Sequence, residues 1–183
     1  MELREALLRE QAKGPDHEAR LLAGYCWNWI SKKEKNPELK PDIVLDDGEF
    51  ALPWNFDRDK KLWILKDTKI EAVGCIHTSQ GLEVPYVGVI IGKDLYVRNG
   101  EVVTDLSGRA KTDQSVKGLK GMAKKEPGKA KEIAAQIIRN TYRVLMTRGL
   151  KGCFIYSPDE ETREWFRSQI GRPMEFSGNR NKN

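Results

Sequence analysis

One stretch, residues 73–92, constrains the fold of this chain more than any other. It reads VGCIHTSQGLEVPYVGVIIG, and two apolar runs, at residues 72–76 and 87–91, flank a polar loop at 77–83. Short runs rich in valine and isoleucine, bounded by glycine or proline, predict buried strands. In open α/β sheets, ligands bind beyond the carboxyl ends of the strands. The polar loop therefore occupies the place where a ligand-binding loop is expected.

Elsewhere the chain alternates predicted strands with predicted helices. Strands are also predicted at residues 19–25, 42–45, 50–51, 62–65 and 151–156, and helices at 2–12, from 127 to about 149, and at 157–170 with Ser157 as N-cap. This alternation predicts an α/β fold, a mostly parallel sheet flanked by helices. The strands near residues 19, 72, 87 and 152 are its expected neighbours.

A hairpin and a basic segment follow the second apolar run. Asn99-Gly100 lies between two alternating apolar runs and predicts a β-hairpin, because a type I′ turn needs positive φ at both central residues. Residues 107–131 then hold eight lysines or arginines, Arg109 among them, against two acids. Their net charge of +6 exceeds the +5 of the whole chain. This segment is either a solvated surface insertion or an element that contacts phosphates.

The length of 183 residues fits one domain. We expect an N-terminal helix and linker at residues 1–18, the domain at 19–170 with an insertion at about 94–126, and a disordered tail at 171–183. The three cysteines form no metal-binding pattern and indicate buried free thiols, so no metal site is expected. No signal peptide or membrane span is expected either, and the predicted location is the cytoplasm.

The polar loop carries groups suited to a ligand. Gly81 lets the backbone approach a ligand closely. Thr78, Ser79 and Gln80 supply small polar groups, and Glu83 can accept a hydrogen bond from a sugar hydroxyl. An ordinary capped turn explains the same residues.

A second cluster, residues 140–149 (NTYRVLMTRG), closes the long helix. Arg148 there has two explanations. The helix dipole favours an arginine at a carboxyl end, with Gly149 as a C′ cap. Alternatively, its planar guanidinium is placed to bind a phosphate in bidentate fashion.

Both clusters resemble helicase motifs. The segment IHTSQGLEVPYVGVIIG resembles motif V of superfamily 1 helicases, and YRVLMTRG resembles motif VI, whose Thr-Arg carries the arginine finger. The segments RLLAGYCWNW, VGCIHTSQGLE and NTYRVLMTRGLKGC resemble more closely a bacterial family with a Schlafen group 3-like DNA/RNA helicase domain. The resemblance covers roughly residues 20–167 and implies a RecA-like fold of the P-loop NTPase type.

The resemblance also implies roles for individual residues. Arg148 would stabilise charge on the γ-phosphate of ATP, Gly81 would approach that phosphate through its backbone, and Glu83 would touch the ribose. Two further residues are nucleotide-binding candidates: Gln80, which stands where many relatives have lysine or arginine, and Arg143, whose position varies in the wider superfamily.

Single-stranded DNA or RNA is the implied partner of the same loop. His77, Thr78 and Ser79 would face the nucleic acid strand and couple it to the nucleotide.

One superfamily element is absent from these residues. No G-x-x-x-x-G-K-[ST] occurs, and residues 43–47 (IVLDD) only imitate a Walker B strand. The chain therefore resembles the second RecA-like domain alone. It would need a P-loop-containing RecA-like first domain, in cis or in trans, to hold Mg²⁺, and would not hydrolyse ATP by itself.

Two other hypotheses stay open. In the first, the chain is a non-catalytic nucleic-acid-binding module that uses residues 107–131 and Trp27, Trp29 and Trp54; such aromatics also plug small cores. In the second, it is a nuclease that uses Asp42 with Asp57 or Asp59 and Lys60.

Overall fold

A computed structural model of the protein describes residues 2–36, 39–54 and 70–170, and leaves the side chain of Lys120 undescribed. The strand predicted at 62–65, the tail predicted at 171–183, and Asp57, Asp59 and Lys60 of the nuclease hypothesis lie outside the described residues. No helix in the described part of the chain has the length and apolar character that crossing a membrane requires.

The described residues form four α-helices and eight β-strands. The helices are α1 (Glu2–Gln11), α2 (Leu119–Lys125), α3 (Pro127–Met146) and α4 (Glu160–Gln169). The strands are β1 (Ala19–Ala23), β2 (Ile43–Leu45), β3 (Phe50–Leu52), β4 (Val73–Gly74), β5 (Val84–Ile90), β6 (Leu95–Arg98), β7 (Glu101–Thr104) and β8 (Gly149–Tyr156).

Four of these strands form the central sheet. Their order is β4-β1-β5-β8, and every neighbouring pair is parallel. Leu21 lies opposite Val73, and Val89 lies between Leu22 and Ile155. These are the four neighbours predicted from the apolar runs, so the expectation of an α/β fold with a parallel sheet is confirmed.

Helices cover both faces of this sheet. On one face, Leu3 and Leu7 of α1 pack into a core with residues of β1 and β5. On the other face, Ile138, Tyr142 and Leu145 of α3 pack against a second set of residues from the same strands. All five side chains are buried, and burial of each of the four leucine or isoleucine side chains contributes roughly 1.5–3 kcal/mol. The sheet is therefore held rigidly between two helical layers.

The predicted hairpin is confirmed. Strands β6 and β7 pair in antiparallel fashion, and Asn99 and Gly100 at the turn have φ of 53° and 79°. Strands β2 and β3 form a separate antiparallel pair outside the parallel sheet. Residues 43–47 therefore do not lie on a strand of the parallel sheet, where a Walker B segment belongs. This placement agrees with a chance resemblance to Walker B.

The prediction of Ser157 as the N-cap of α4 is wrong. Asp159 caps this helix: its carboxylate accepts a hydrogen bond of 2.9 Å from the Thr162 N–H. The Ser157 hydroxyl instead accepts from the Asp159 N–H at 3.2 Å. An aspartate there satisfies an N–H of the first turn that a serine two residues earlier does not reach.

The three tryptophans of the binding-module hypothesis form part of the core or pack against it. Trp54 is fully buried and packs edge-on against Tyr25, with ring centroids 4.4 Å apart. Trp27 and Trp29 are half-buried and pack against the same core. Trp54 therefore cannot stack on bases in this fold, so that part of the binding-module hypothesis is wrong.

Candidate functional site

A cleft of about 550 Å³ lies between the loop that follows β4 and one side of α3. His77, Gln80 and Gly81 of the loop line it, as do Asn140, Thr141 and Arg148 from α3 and its carboxyl end. Three aliphatic side chains, Ile76, Ile137 and Val144, complete these walls, and Arg109 and Ser115 of the insertion also line the cleft. The two clusters singled out in the sequence therefore meet in space at the carboxyl end of a sheet strand.

The loop is built around two hydroxyl groups. The Thr78 hydroxyl accepts a hydrogen bond from the Cys75 N–H at 2.8 Å and donates to the Cys75 carbonyl at 3.0 Å. The Ser79 hydroxyl is buried and donates to the Ile76 carbonyl at 3.4 Å. Both hydroxyls therefore serve the turn itself, whereas His77 and Gln80 are exposed on the cleft.

Gly81 closes the turn in a conformation suited to glycine. Its φ is +74°, in the left-handed region that L side chains rarely adopt, and a Cβ there would meet no atom within 4 Å. Backbone geometry, and not crowding, therefore requires glycine at this position. The open space beside Gly81 lets a ligand reach the backbone.

Arg148 is anchored by its own helix. Its Nε donates a hydrogen bond of 3.1 Å to the Val144 carbonyl, and its carbonyl accepts one of 3.0 Å from the Val84 N–H at the start of β5. Among the residues that the structure describes, no carboxylate lies within 4.0 Å of the guanidinium as an ion-pair partner. The terminal nitrogens of Arg148 therefore keep their charge available to a ligand in the cleft.

The alternative explanation of Gly149 as a C′ cap is wrong. Gly149 does not have positive φ and begins β8. A Cβ at this position would lie 2.2 Å from the Gly152 carbonyl oxygen. Glycine is needed here because the backbone approaches itself closely at the start of the strand.

Two of the predicted nucleotide-binding residues do not line the cleft. Glu83 and Arg143 are both exposed, and neither lines the cleft. Arg143 lies on α3, whose cleft side carries residues 137, 140, 141 and 144. The structure thus brings together His77, Gln80, Gly81 and Arg148, while the roles assigned to Glu83 and Arg143 stay predictions.

Asn140 and Thr141 line the cleft although neither is among the site residues predicted from the sequence. Asn140, Val144 and Arg148 are spaced by four residues, which places them on one side of a helix. This spacing could have identified Asn140 as a cleft residue, because the sequence already predicts the helix and singles out Arg148.

Arg109 of the insertion lines the cleft and belongs to a buried ion cluster. Arg109 donates from Nε to Asp113 Oδ2 at 2.5 Å and from Nη1 to Asp94 Oδ2 at 3.1 Å. All three side chains are at most 1% exposed. Counting Arg109 among the surface charges of residues 107–131 is therefore wrong: burial and two carboxylates make it a structural residue.

Tyr142 extends the same cluster into the core. Its hydroxyl donates to Asp94 Oδ1 at 2.5 Å and accepts from the Gly92 N–H at 2.8 Å. Burial, with the nearby carboxylate, raises the pKa of Tyr142 well above its usual range. Gly24 permits this approach, since a Cβ there would lie 2.1 Å from the hydroxyl oxygen. The end of β1, the end of β5, α3 and the insertion are therefore joined at one point.

The surroundings of all three thiols disfavour the thiolate form. Burial raises the pKa of Cys75 and Cys26, and loss of solvent around the thiol raises that of Cys153 to about 11. The expectation of three buried cysteines holds for Cys75. Cys26 is half-buried, and the expectation is wrong for Cys153, an exposed residue on the outer strand β8. Across the described residues, no group of three or more His, Cys, Asp or Glu side chains is arranged to hold a metal ion.

Comparison with known proteins agrees with the resemblance read from the sequence. The profile described as "Schlafen group 3, DNA/RNA helicase domain" matches residues 1–159. An uncharacterized protein of Saccharomyces cerevisiae, YPL245W, is 31% identical over 127 residues, which make up 67% of this chain and 27% of the yeast protein. The chain thus spans about a quarter of the length of that relative. No solved structure matches the chain. The chain belongs to the Schlafen group 3 DNA/RNA helicase domain family.

Proposed function

We propose that this domain is the second RecA-like half of an ATP-dependent DNA or RNA helicase or translocase. The observation that carries the proposal is the cleft that Gly81 and Arg148 line together. The four-stranded parallel sheet and the helicase-domain family are compatible with it. Ligand binding at the carboxyl ends of parallel strands is the general behaviour of such sheets.

In this proposal the cleft receives the phosphates of ATP. The Arg148 guanidinium stabilises the charge that develops on the γ-phosphate during transfer, as an arginine finger does. The backbone at Gly81 approaches the same phosphate, and Gln80 and Asn140 supply neutral polar groups beside it. The hydrogen bond from Arg148 Nε to the Val144 carbonyl favours the proposal because it orients the guanidinium before any ligand arrives.

The proposal requires a second domain. The 183 residues contain no G-x-x-x-x-G-K-[ST] segment to cradle the β-phosphate. In the described residues, no group of three or more His, Cys, Asp or Glu side chains is arranged to hold Mg²⁺. A P-loop-containing RecA-like domain, in the same or another chain, would hold the Mg²⁺ that neutralises phosphate charge. Nucleic acid would then contact the exposed His77, while the hydroxyl groups of Thr78 and Ser79 stabilise the conformation of the loop.

Complementation of ATPase activity tests this proposal. Purified chain should show negligible ATPase activity, alone or with single-stranded DNA or RNA. Addition of the P-loop domain from a member of the same family should restore activity that depends on nucleic acid. ATPase activity in the isolated chain would contradict the division of labour between two domains.

A second candidate function is non-catalytic nucleic-acid binding. The exposed lysines of α2 and the start of α3 favour it: Lys124, Lys125, Lys129 and Lys131 all lie at the surface. Such a module would bind single strands in a salt-sensitive way and would not respond to nucleotide. Binding that is unchanged by ATP analogues, in the presence of the P-loop domain, would favour this function over the first.

A further inference from the structure

A groove of about 830 Å³ runs along the outer edge of β8, between α1 and α4. It is separate from the proposed nucleotide cleft, with which it shares no lining residue. Strand β8 is the last in the order of the described sheet and pairs only with β5. Its other side therefore faces this groove.

Backbone groups of β8 are available on that side. The Ile91 N–H donates to the Tyr156 carbonyl at 2.8 Å, so Tyr156 directs its backbone groups toward β5. Because backbone direction alternates along a strand, Cys153 and Ile155 direct their N–H and C=O groups to the outer edge. Residues 152–156 (GCFIY) carry no charge or proline to block strand pairing. Proteins usually protect an exposed edge with such residues.

Helices α1 and α4 flank the outer edge of β8, so that the groove forms a slot with β8 at its base. The α1 side chains Leu3 and Leu7 pack on the sheet face that carries Phe154 and Tyr156, whereas Phe166 of α4 packs on the face that carries Ile155. A strand added to β8 would lie about 4.8 Å from it, between the two helices. Ile170 at the end of α4 lines the slot and is 74% exposed, which offers an apolar contact.

The rim of the slot is acidic, in contrast to the basic chain. Six carboxylates line it, Glu2 and Glu5 on α1, Asp46 and Glu49 beside the β2–β3 turn, and Glu160 and Glu164 on α4, against two arginines. Both arginines have partners: Arg163 donates to the Ser157 carbonyl at 2.7 Å, and Arg167 donates to Glu164 at 2.5 Å. The rim therefore attracts cations and repels acidic segments.

We propose that this slot binds an extended, basic segment of a partner protein, which adds to the sheet as a strand beside β8. The partner's backbone would pair with Cys153 and Ile155, and its arginine or lysine side chains would reach the acidic rim. This mode of recognition takes affinity from the main chain and specificity from alternating side chains. The proposal is independent of nucleotide binding.

Binding of a defined peptide to the full chain tests the slot. The probe is a short, labelled peptide that alternates arginine and valine, followed by fluorescence anisotropy. It should bind more weakly as salt rises, and the amides of Cys153 and Ile155 should become protected from hydrogen exchange. A peptide that alternates glutamate and valine, and the basic peptide with N-methylated amides, should fail to bind.

Two variants separate the contributions of backbone and charge. Cys153→Pro removes one outward N–H, which an edge strand tolerates, and should weaken binding roughly tenfold through the lost hydrogen bond. Glu5→Gln with Glu164→Gln leaves the backbone intact and should weaken binding and flatten its salt dependence. The exposed Glu132→Gln on α3, outside the slot, is the matched control and should bind like the parent.

Three outcomes would overturn the proposal. The first is equal binding of the basic peptide to the parent, to Cys153→Pro and to the double glutamine variant. The second is self-association of the parent in sedimentation, abolished by Cys153→Pro, which would assign the slot to a second copy. The third is peptide binding only after residues 171–183 are deleted, which would assign it to the chain's own C-terminal residues.

Discussion

Tyr142, in the last turns of α3, donates a hydrogen bond of 2.5 Å to Asp94, just beyond the end of β5. Both residues are fully or almost fully buried. Asp94 also pairs with Arg109, a residue that lines the candidate nucleotide cleft. Helix α3, which ends two residues before Arg148, is thus fixed to the sheet and to the insertion through one aspartate.

Tyr142→Phe tests this connection. The change leaves the ring in place but removes the hydroxyl group. Asp94 Oδ1 and the Gly92 N–H then each lose a buried hydrogen-bond partner. Buried polar groups without a partner cost about 1–3 kcal/mol, and we expect a loss of that size in the free energy of unfolding, measured with urea. Tyr156→Phe is the control: its hydroxyl bonds to exposed Asp46, where water replaces it, so the loss should stay below about 1 kcal/mol.

Arg109→Met tests the ion cluster of the insertion. It leaves the carboxylates of Asp94 and Asp113 buried without their cation, and removal of one partner of a buried pair costs about 3–5 kcal/mol. Chemical denaturation should show this loss. Arg98→Met, in the partly exposed pair with Asp159, should cost about 0–1 kcal/mol. Equal losses in the two variants would contradict the structural role of Arg109.

Asp159 gives the stability a predicted pH dependence. Hydrogen bonds from the Arg98 guanidinium, and then from Thr162, hold the pKa of Asp159 well below its usual range. A carboxylate with a lowered folded-state pKa stabilises the fold above its unfolded-state pKa, about 3.9, and loses that contribution as pH falls further. Asp159→Asn keeps an N-cap side chain and removes the charge.

The stability difference between parent and Asp159→Asn should therefore be present at pH 7 and shrink below about pH 4. Its size should stay under about 1 kcal/mol because both partners of the pair are partly exposed. Urea denaturation at several pH values measures it. A difference that grows on acidification would mean that Asp159 is not stabilised as a carboxylate.

The sheet was predictable because its strands are short apolar runs in sequence. The runs at residues 72–76 and 87–91 carry that signal locally, and so does Asn99-Gly100 for the hairpin. The meeting of the loop with Arg148 was predictable only from the resemblance to motifs V and VI. Physical reasoning from the residues alone favoured a capped turn for the loop and a helix-dipole arginine at position 148.

The buried cluster was not predictable in the same way. Arg109 lies among lysines in a segment rich in charge and glycine, which is typical of a solvated surface. Its burial depends on Asp94, fifteen positions earlier, whose other carboxylate oxygen accepts a hydrogen bond from Tyr142. That Glu83 and Arg143 do not line the cleft likewise follows from tertiary packing, which local periodicity does not determine.

The most direct test concerns Arg148 in the reconstituted enzyme. With the P-loop domain and single-stranded nucleic acid present, Arg148→Ala should lower the turnover number for ATP by roughly 10³-fold or more, as loss of an arginine finger does. Arg139→Ala is the matched control, an exposed arginine of the same helix outside the cleft, and it should keep the parent turnover. Both variants should unfold at the parent urea concentration. A turnover number for Arg148→Ala equal to that of Arg139→Ala would contradict the assignment of the cleft to nucleotide chemistry.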